Sequence, residues 1–170
     1  AYGVMMYVSF VFIAVFIGYA IGSAPIVGFH YGAGNHSELK SLLRKSMALT
    51  VLTGVGMAAL SVALATPLSG LFVGYDEALH DMTTRGFRIY ILSFLLSGFN
   101  IFGSSFFTAL NNGLISALIS FLRTLVFQIG AVLLLPLVFE LDGIWWSVVA
   151  AELGSLALTV FFMLKYRRRY

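Results

Sequence analysis

The sequence predicts an all-α fold, a polytopic helical membrane protein built as a bundle of about five transmembrane helices and read as a single transmembrane domain over residues 1–170. Three observations carry this. Of the 170 residues, 60% are hydrophobic and only 10% charged, a balance too apolar for a soluble domain of this size. Five apolar stretches reach the roughly 20 residues needed to cross a hydrocarbon core about 30 Å thick. The connections between them are short, which requires antiparallel neighbours in one compact bundle.

The spans are expected at about 4–31, 46–66, 87–110, 114–135 and 143–164. The first ends in GYAIGSAPIVGFHYGAGN, Gly18 to Asn35. Gly18 and Gly22 lie four apart on one helical face and Gly28 and Gly32 repeat the spacing, which lets neighbouring backbones approach closely. Pro25 removes a backbone donor and clashes with the carbonyl one turn back, so it predicts a kink and makes this span a candidate moving part. The second span follows a basic connection, His36 to Lys45, and a loop around Gly74 to Thr84 leads to the third.

In the third span Tyr90, Ser93, Ser97, Asn100, Ser104 and Thr108 recur at three- and four-residue steps and form one polar stripe. Such a stripe should not face lipid. It fits interhelical hydrogen bonding and it fits the wall of a water-filled cavity. After an Asn111-Asn112-Gly113 turn, the fourth span carries Ser116, Ser120, Arg123, Thr124 and Gln128. A turn at Phe139 to Asp142 leads to the fifth, where Trp145, Glu152, Ser155 and Thr159 share a face.

Arg123 stands nine residues past the start of its span at Leu114, and Glu152 nine past Gly143 at the opposite side. At a 1.5 Å rise each is ~14 Å deep, near the midplane. An isolated charge there is costly, so the pair is expected to meet directly or through one water. The other reading has Arg123 reaching toward the near surface while Glu152 is protonated or hydrogen-bonded beside Ser155 and Thr159.

Several function classes fall away. The net charge is +3, but the basic residues cluster at span ends, so the lipid bilayer is the expected partner and nucleic acid is not. With no cysteine there is no disulfide, thiolate metal site or cysteine nucleophile. His30, His36 and His80 are divided between the two sides, which leaves no expected metal site. No serine has the surroundings of a nucleophile, and Gly32-Ala33-Gly34 lacks the strand and the lysine of a phosphate-binding loop. Neither enzymatic activity nor a bound cofactor is expected.

Lys40, Arg44, Lys45, Lys165, Arg167, Arg168 and Arg169 fall on one side of the predicted topology. Arg85 and Arg88 fall on the other, beside Asp76, Glu77, Asp81, Glu140 and Asp142. The positive-inside tendency makes the first side cytoplasmic, with Ala1 outside and Tyr170 inside. The chain opens on Ala1, with neither an initiator methionine nor a signal peptide pattern, and is expected to continue a longer polypeptide.

Two stretches carry a more specific resemblance. The run from Pro25 through IVGFHYGAGN resembles the end of the second helix of a lobe in multidrug and toxic compound extrusion (MATE) transporters, where the position usually reads G-x-N/Q-x-G-A-x-N. Gly28, Gly32, Ala33, Gly34 and Asn35 match it, and His30 stands in place of the usual amide. ALNNGLISALISFLRTLVFQ, Ala109 to Gln128, with Asp142-Gly143-Ile144-Trp145 and Ala151-Glu152, resembles the last helices of bacterial members.

The resemblance implies the last five helices of the second six-helix lobe. The first lobe of the same polypeptide would be the missing partner. It also implies a twelve-helix secondary antiporter of the cytoplasmic membrane that exchanges protons or sodium ions for small organic, often cationic, compounds by alternating access. On that reading Tyr90, Ser93, Ser97, Asn100 and Ser104 are candidates for the cavity wall, and Arg123 and Glu152 for a buried pair or a coupling site. A lipid-linked oligosaccharide flippase of the same superfamily and a non-transporting membrane scaffold are the alternatives.

Overall fold

A computed structural model describes residues 2–167. Ala1 and the last three residues, Arg168 to Tyr170, lie outside the described residues, so neither end of the predicted topology is described. Five helices are long and apolar enough to cross a membrane: α1 (Tyr2–Gly32), α2 (His36–Val73), α3 (Glu77–Ala109), α4 (Gly113–Leu134) and α5 (Pro136–Tyr166). No strand is present among the described residues.

The helices overrun the apolar stretches that mark them. His36 to Lys45, expected as a loop, forms the first ten residues of α2, and most of the loop expected over Gly74 to Thr84 is the start of α3. Hydropathy reports only the part of a helix that sits in hydrocarbon, while polar caps set where the helix begins. Asn35 Oδ1 accepts from the Glu38 amide at 3.2 Å, and Asp76 Oδ1 accepts from the Leu79 amide at 3.1 Å. Helix ends are closed as firmly. Gly34 adopts φ 66°, and the amides of Gly34 and Asn35 return to the carbonyls of Tyr31 and His30. Asn111, at φ 57°, closes α3 in the same way, with Asn111 and Asn112 donating to Thr108 and Phe107.

The sequence places the last turn at Phe139 to Asp142, and there the backbone leaves helical geometry at Glu140 (φ 51°, ψ −129°). The break folds the part of α5 after Glu140 back on the end of α4 and the first turn of α5. It seats the Gly143 backbone against the carbonyl of Leu135, with room for no side chain.

α3 packs against all four other helices. Its apolar contacts fall into two clusters. Toward the acidic end Met5, Phe12, Phe16, Phe87, Phe94, Trp145 and neighbours pack together, and Arg85 pairs with Asp142 there. Toward the basic end Leu39, Phe102, Phe106, Phe107, Ile115, Ile119 and Met163 form the second cluster. Lipid tails are as apolar as these side chains, so close packing rather than escape from water holds the bundle.

The closest approaches are made by Gly54, which meets the α3 backbone at Phe94 and Leu95, and by Gly86, Gly98 and Gly103 of α3, which seat Trp145, Phe16 and Thr159. These are not the glycines that the GxxxG spacing singles out. Nothing among the described residues lies within 4 Å of a Cβ at Gly18, Gly22 or Gly32, and at Gly28 only the Ala109 carbonyl does. The GxxxG spacing identifies a small-residue face but cannot say what covers it. α1 continues as helix through Pro25. Five residues before it, the Ala20 carbonyl accepts hydroxyl hydrogen bonds from Ser23 and from Ser105 of α3, which ties α1 to α3 at this level.

Candidate functional site

Between the two apolar clusters the facing sides of α3, α4 and α5 turn polar. Asn100 on α3 is fully buried. Its Nδ2 donates to Glu152 Oε2 at 2.7 Å and to the Glu152 carbonyl at 3.0 Å. From α4, Arg123 donates through Nε and Nη2 to Glu152 Oε1, at 3.1 and 2.5 Å. Both carboxylate oxygens therefore receive donors, and Arg123 matches the charge of Glu152 inside the bundle. The direct contact, rather than separate neutralisation, is the arrangement seen.

Arg123 lies within a π-helical segment of α4, Leu122–Gln128. No residue of this segment is buried. Before it Ile115 and Ile119 anchor α4, and within it the Phe127 ring rests on Gly154 of α5. A π turn is uncommon and tends to occur at functional positions. The sequence carries no marker for it, since the segment holds neither glycine nor proline.

On the open side of Arg123 lies a groove of about 340 Å³, lined by Ile17, Ala20 and Ile21 of α1, Ile101, Ser104, Ser105 and Thr108 of α3, and Ser120 and Arg123 of α4. Its floor is a cluster of hydroxyls. Thr108 donates to Ser116 at 2.6 Å, and Ser104 lies 3.0 Å from Ser116 and 2.9 Å from Ser120.

The polar stripe of α3 is thus divided. Ser104 and Thr108 reach the groove, while Tyr90, Ser93, Ser97 and Asn100 are buried inside the bundle. Ser93 donates to the Tyr90 carbonyl, and the buried Ser97, Ser155 and Thr159 hydroxyls have no partner among the described residues. Helical spacing alone could not separate the two halves of the stripe. The separation comes from α5, which covers the upper half at Trp145, Val148 and Glu152, and from α4, which leaves the lower half open. Ser116 and Ser120 were legible only as polar residues of a span, and their pairing with Ser104 depends on how α4 packs against α3.

A charged pair inside a bundle of membrane-spanning helices is costly to bury and marks a functional position. The MatE family model matches residues 1–134, and the chain belongs to that family. Two solved structures share its fold. One is the outward-facing conformation of a multidrug resistance MATE family transporter of the MOP superfamily, with a TM-score of 0.90 over 99% of this chain at 17% identity. The other is the inward-facing conformation of such a transporter, with a TM-score of 0.85 over 96% at 18% identity. The chain spans 38% of the length of each solved chain. Among curated proteins none matches it.

Proposed function

We propose that this chain forms most of the second lobe of a twelve-helix secondary exporter in the cytoplasmic membrane. The exporter exchanges protons or sodium ions for small organic compounds by alternating access. The Arg123–Glu152 pair carries the reading, because it stands mid-bundle beside an open polar groove and is braced from α3 by Asn100. Charged groups at this depth mark substrate or ion pathways, and a groove facing away from the bundle suits a cavity completed by a first lobe. The burial of Tyr90, Ser93 and Ser97 favours the scaffold alternative for that part of the stripe alone.

The deciding experiment reconstitutes the full-length protein in liposomes, imposes a proton or a sodium gradient, and follows fluorescent organic compounds. Gradient-driven movement that collapses with an ionophore is expected. Movement indifferent to both gradients would overturn the antiport reading, and movement of lipid-linked sugars alone would select the flippase.

Orientation has its own test. The basic end of α2 is proposed to be cytoplasmic and the start of α3 external. In intact cells an impermeant thiol reagent should therefore label Glu77→Cys at least tenfold faster than Ser41→Cys. The reverse order inverts the topology.

A further inference from the structure

We infer that the groove beside Arg123 recognises an anionic oxygen group, such as a carboxylate, sulfonate or phosphate, on an amphipathic organic molecule, and disfavours a cationic one. The inference rests on the reading of this groove as a wall of the export cavity, and it fixes the charge of the ligand that this wall accepts.

The geometry of the ion pair is the first argument. Glu152 stands behind, its side chain 9% exposed and fastened to Asn100, while Arg123 stands in front, 23% exposed and part of the groove wall. The pair is neutral as a whole but works as a dipole with its positive end toward the ligand. A guanidinium has five N–H donors. Nε and Nη2 each use one on Glu152 Oε1, which leaves about three for a ligand without breaking the pair.

The rest of the wall agrees. Among the described residues lining the groove, Arg123 is the one charged side chain, and neither a carboxylate nor an aromatic ring is present. Those are the two side-chain types by which a site holds an organic cation. Ser104, Thr108 and Ser120 instead offer hydroxyls along the floor, and Ile17, Ile21 and Ile101 offer an apolar surface for a carbon skeleton. A volume of about 340 Å³ on this lobe lies at the low end of the range for small-molecule pockets. Planar bidentate recognition of anionic oxygens is what an arginine provides and a point charge does not.

The test uses full-length protein in nanodiscs and three probes on one naphthalene skeleton, a sulfonate, its neutral sulfonamide and an aminomethyl cation, with a short-chain lipid phosphate as fourth ligand. The sulfonate should bind at least tenfold more tightly than the cation. In the double variant Arg123→Gln/Glu152→Gln, which removes both charges and leaves none unpaired, that ratio should fall to near one. Ser120→Ala should weaken the sulfonate two- to tenfold, the worth of one hydrogen bond. Preference for the sulfonate over the lipid phosphate identifies a soluble organic anion as the source of the anionic group, and the reverse identifies a lipid.

Equal or tighter binding of the cation overturns the inference, as does a double variant that weakens all three probes alike, and so does the absence of any binding. Gradient-driven transport separates the two readings. An exporter without anion preference defeats this inference alone. Anion preference without gradient-driven movement defeats the export reading and leaves the inference standing.

Discussion

Glu152→Gln is expected to lower the yield of folded protein severalfold, and more than Arg123→Gln does. Each change leaves one charge of the buried pair without its partner, a loss of about 3–5 kcal/mol where a buried pair is broken. The two differ in what the survivor can do. A carboxyl side chain has a neutral form that can still accept the Asn100 hydrogen bond, whereas a guanidinium has none in proteins. Arg123 gains some relief from the groove, but its side chain is only 23% exposed and the rest stays out of water. The double glutamine variant should recover part of the lost yield, measured as monodisperse protein after extraction. Additive losses would mean that the pair is not coupled.

Asn100→Ala belongs to the same unit. The sequence reading treats Asn100 as a candidate for the cavity wall. Buried and donating twice to Glu152, it should instead cost yield in proportion to the brace it provides. Function then separates a clamp from a coupling group. If Glu152 carries the exchanged proton, the well-folded fraction of Glu152→Gln should show no proton-driven export, and the double variant should not restore it. Export at the unsubstituted rate per folded molecule would leave the pair with a structural role only.

The sequence and the structure diverge in an instructive pattern. The five helices were legible because each carries its own signal, an apolar run long enough to cross a membrane. Arg123 and Glu152 were legible as a pair because depth follows from residue count and a lone charge at that depth is prohibitive. What needs a neighbour's identity was not legible. The stripe on α3 has one period throughout, yet α5 buries its upper half and α4 exposes its lower half. The π segment around Arg123 has no local cause in its residues; it coincides with two of the contacts between α4 and α5, the ion pair and the Phe127–Gly154 contact.

Gly143→Ala is expected to have an effect on folding as large as breaking the ion pair, while Gly18→Ala and Gly22→Ala in this chain should be nearly silent. A Cβ at Gly143 would lie 2.5 Å from the Leu135 carbonyl carbon and oxygen and 2.6 Å from the Pro136 Cα. These are backbone atoms held by the sharp reversal at Glu140, so no side-chain rotation can make room. Overpacking typically costs about 1–3 kcal/mol where side chains can adjust, and more is expected where only backbone can move. Gly98 makes a useful intermediate case, because its added methyl would meet the Phe16 ring at 2.3 Å, and that ring is itself buried but can shift. The expected order of folded yield is therefore Gly18→Ala and Gly22→Ala highest, Gly98→Ala lower and Gly143→Ala lowest, read by thermal unfolding of the isolated chain in detergent. The same series in the full-length protein extends the test. A loss at Gly18 or Gly22 that appears only there would place a segment outside this chain, the proposed first lobe, against the small-residue face of α1, which is the contact the GxxxG spacing predicts and this chain alone does not supply.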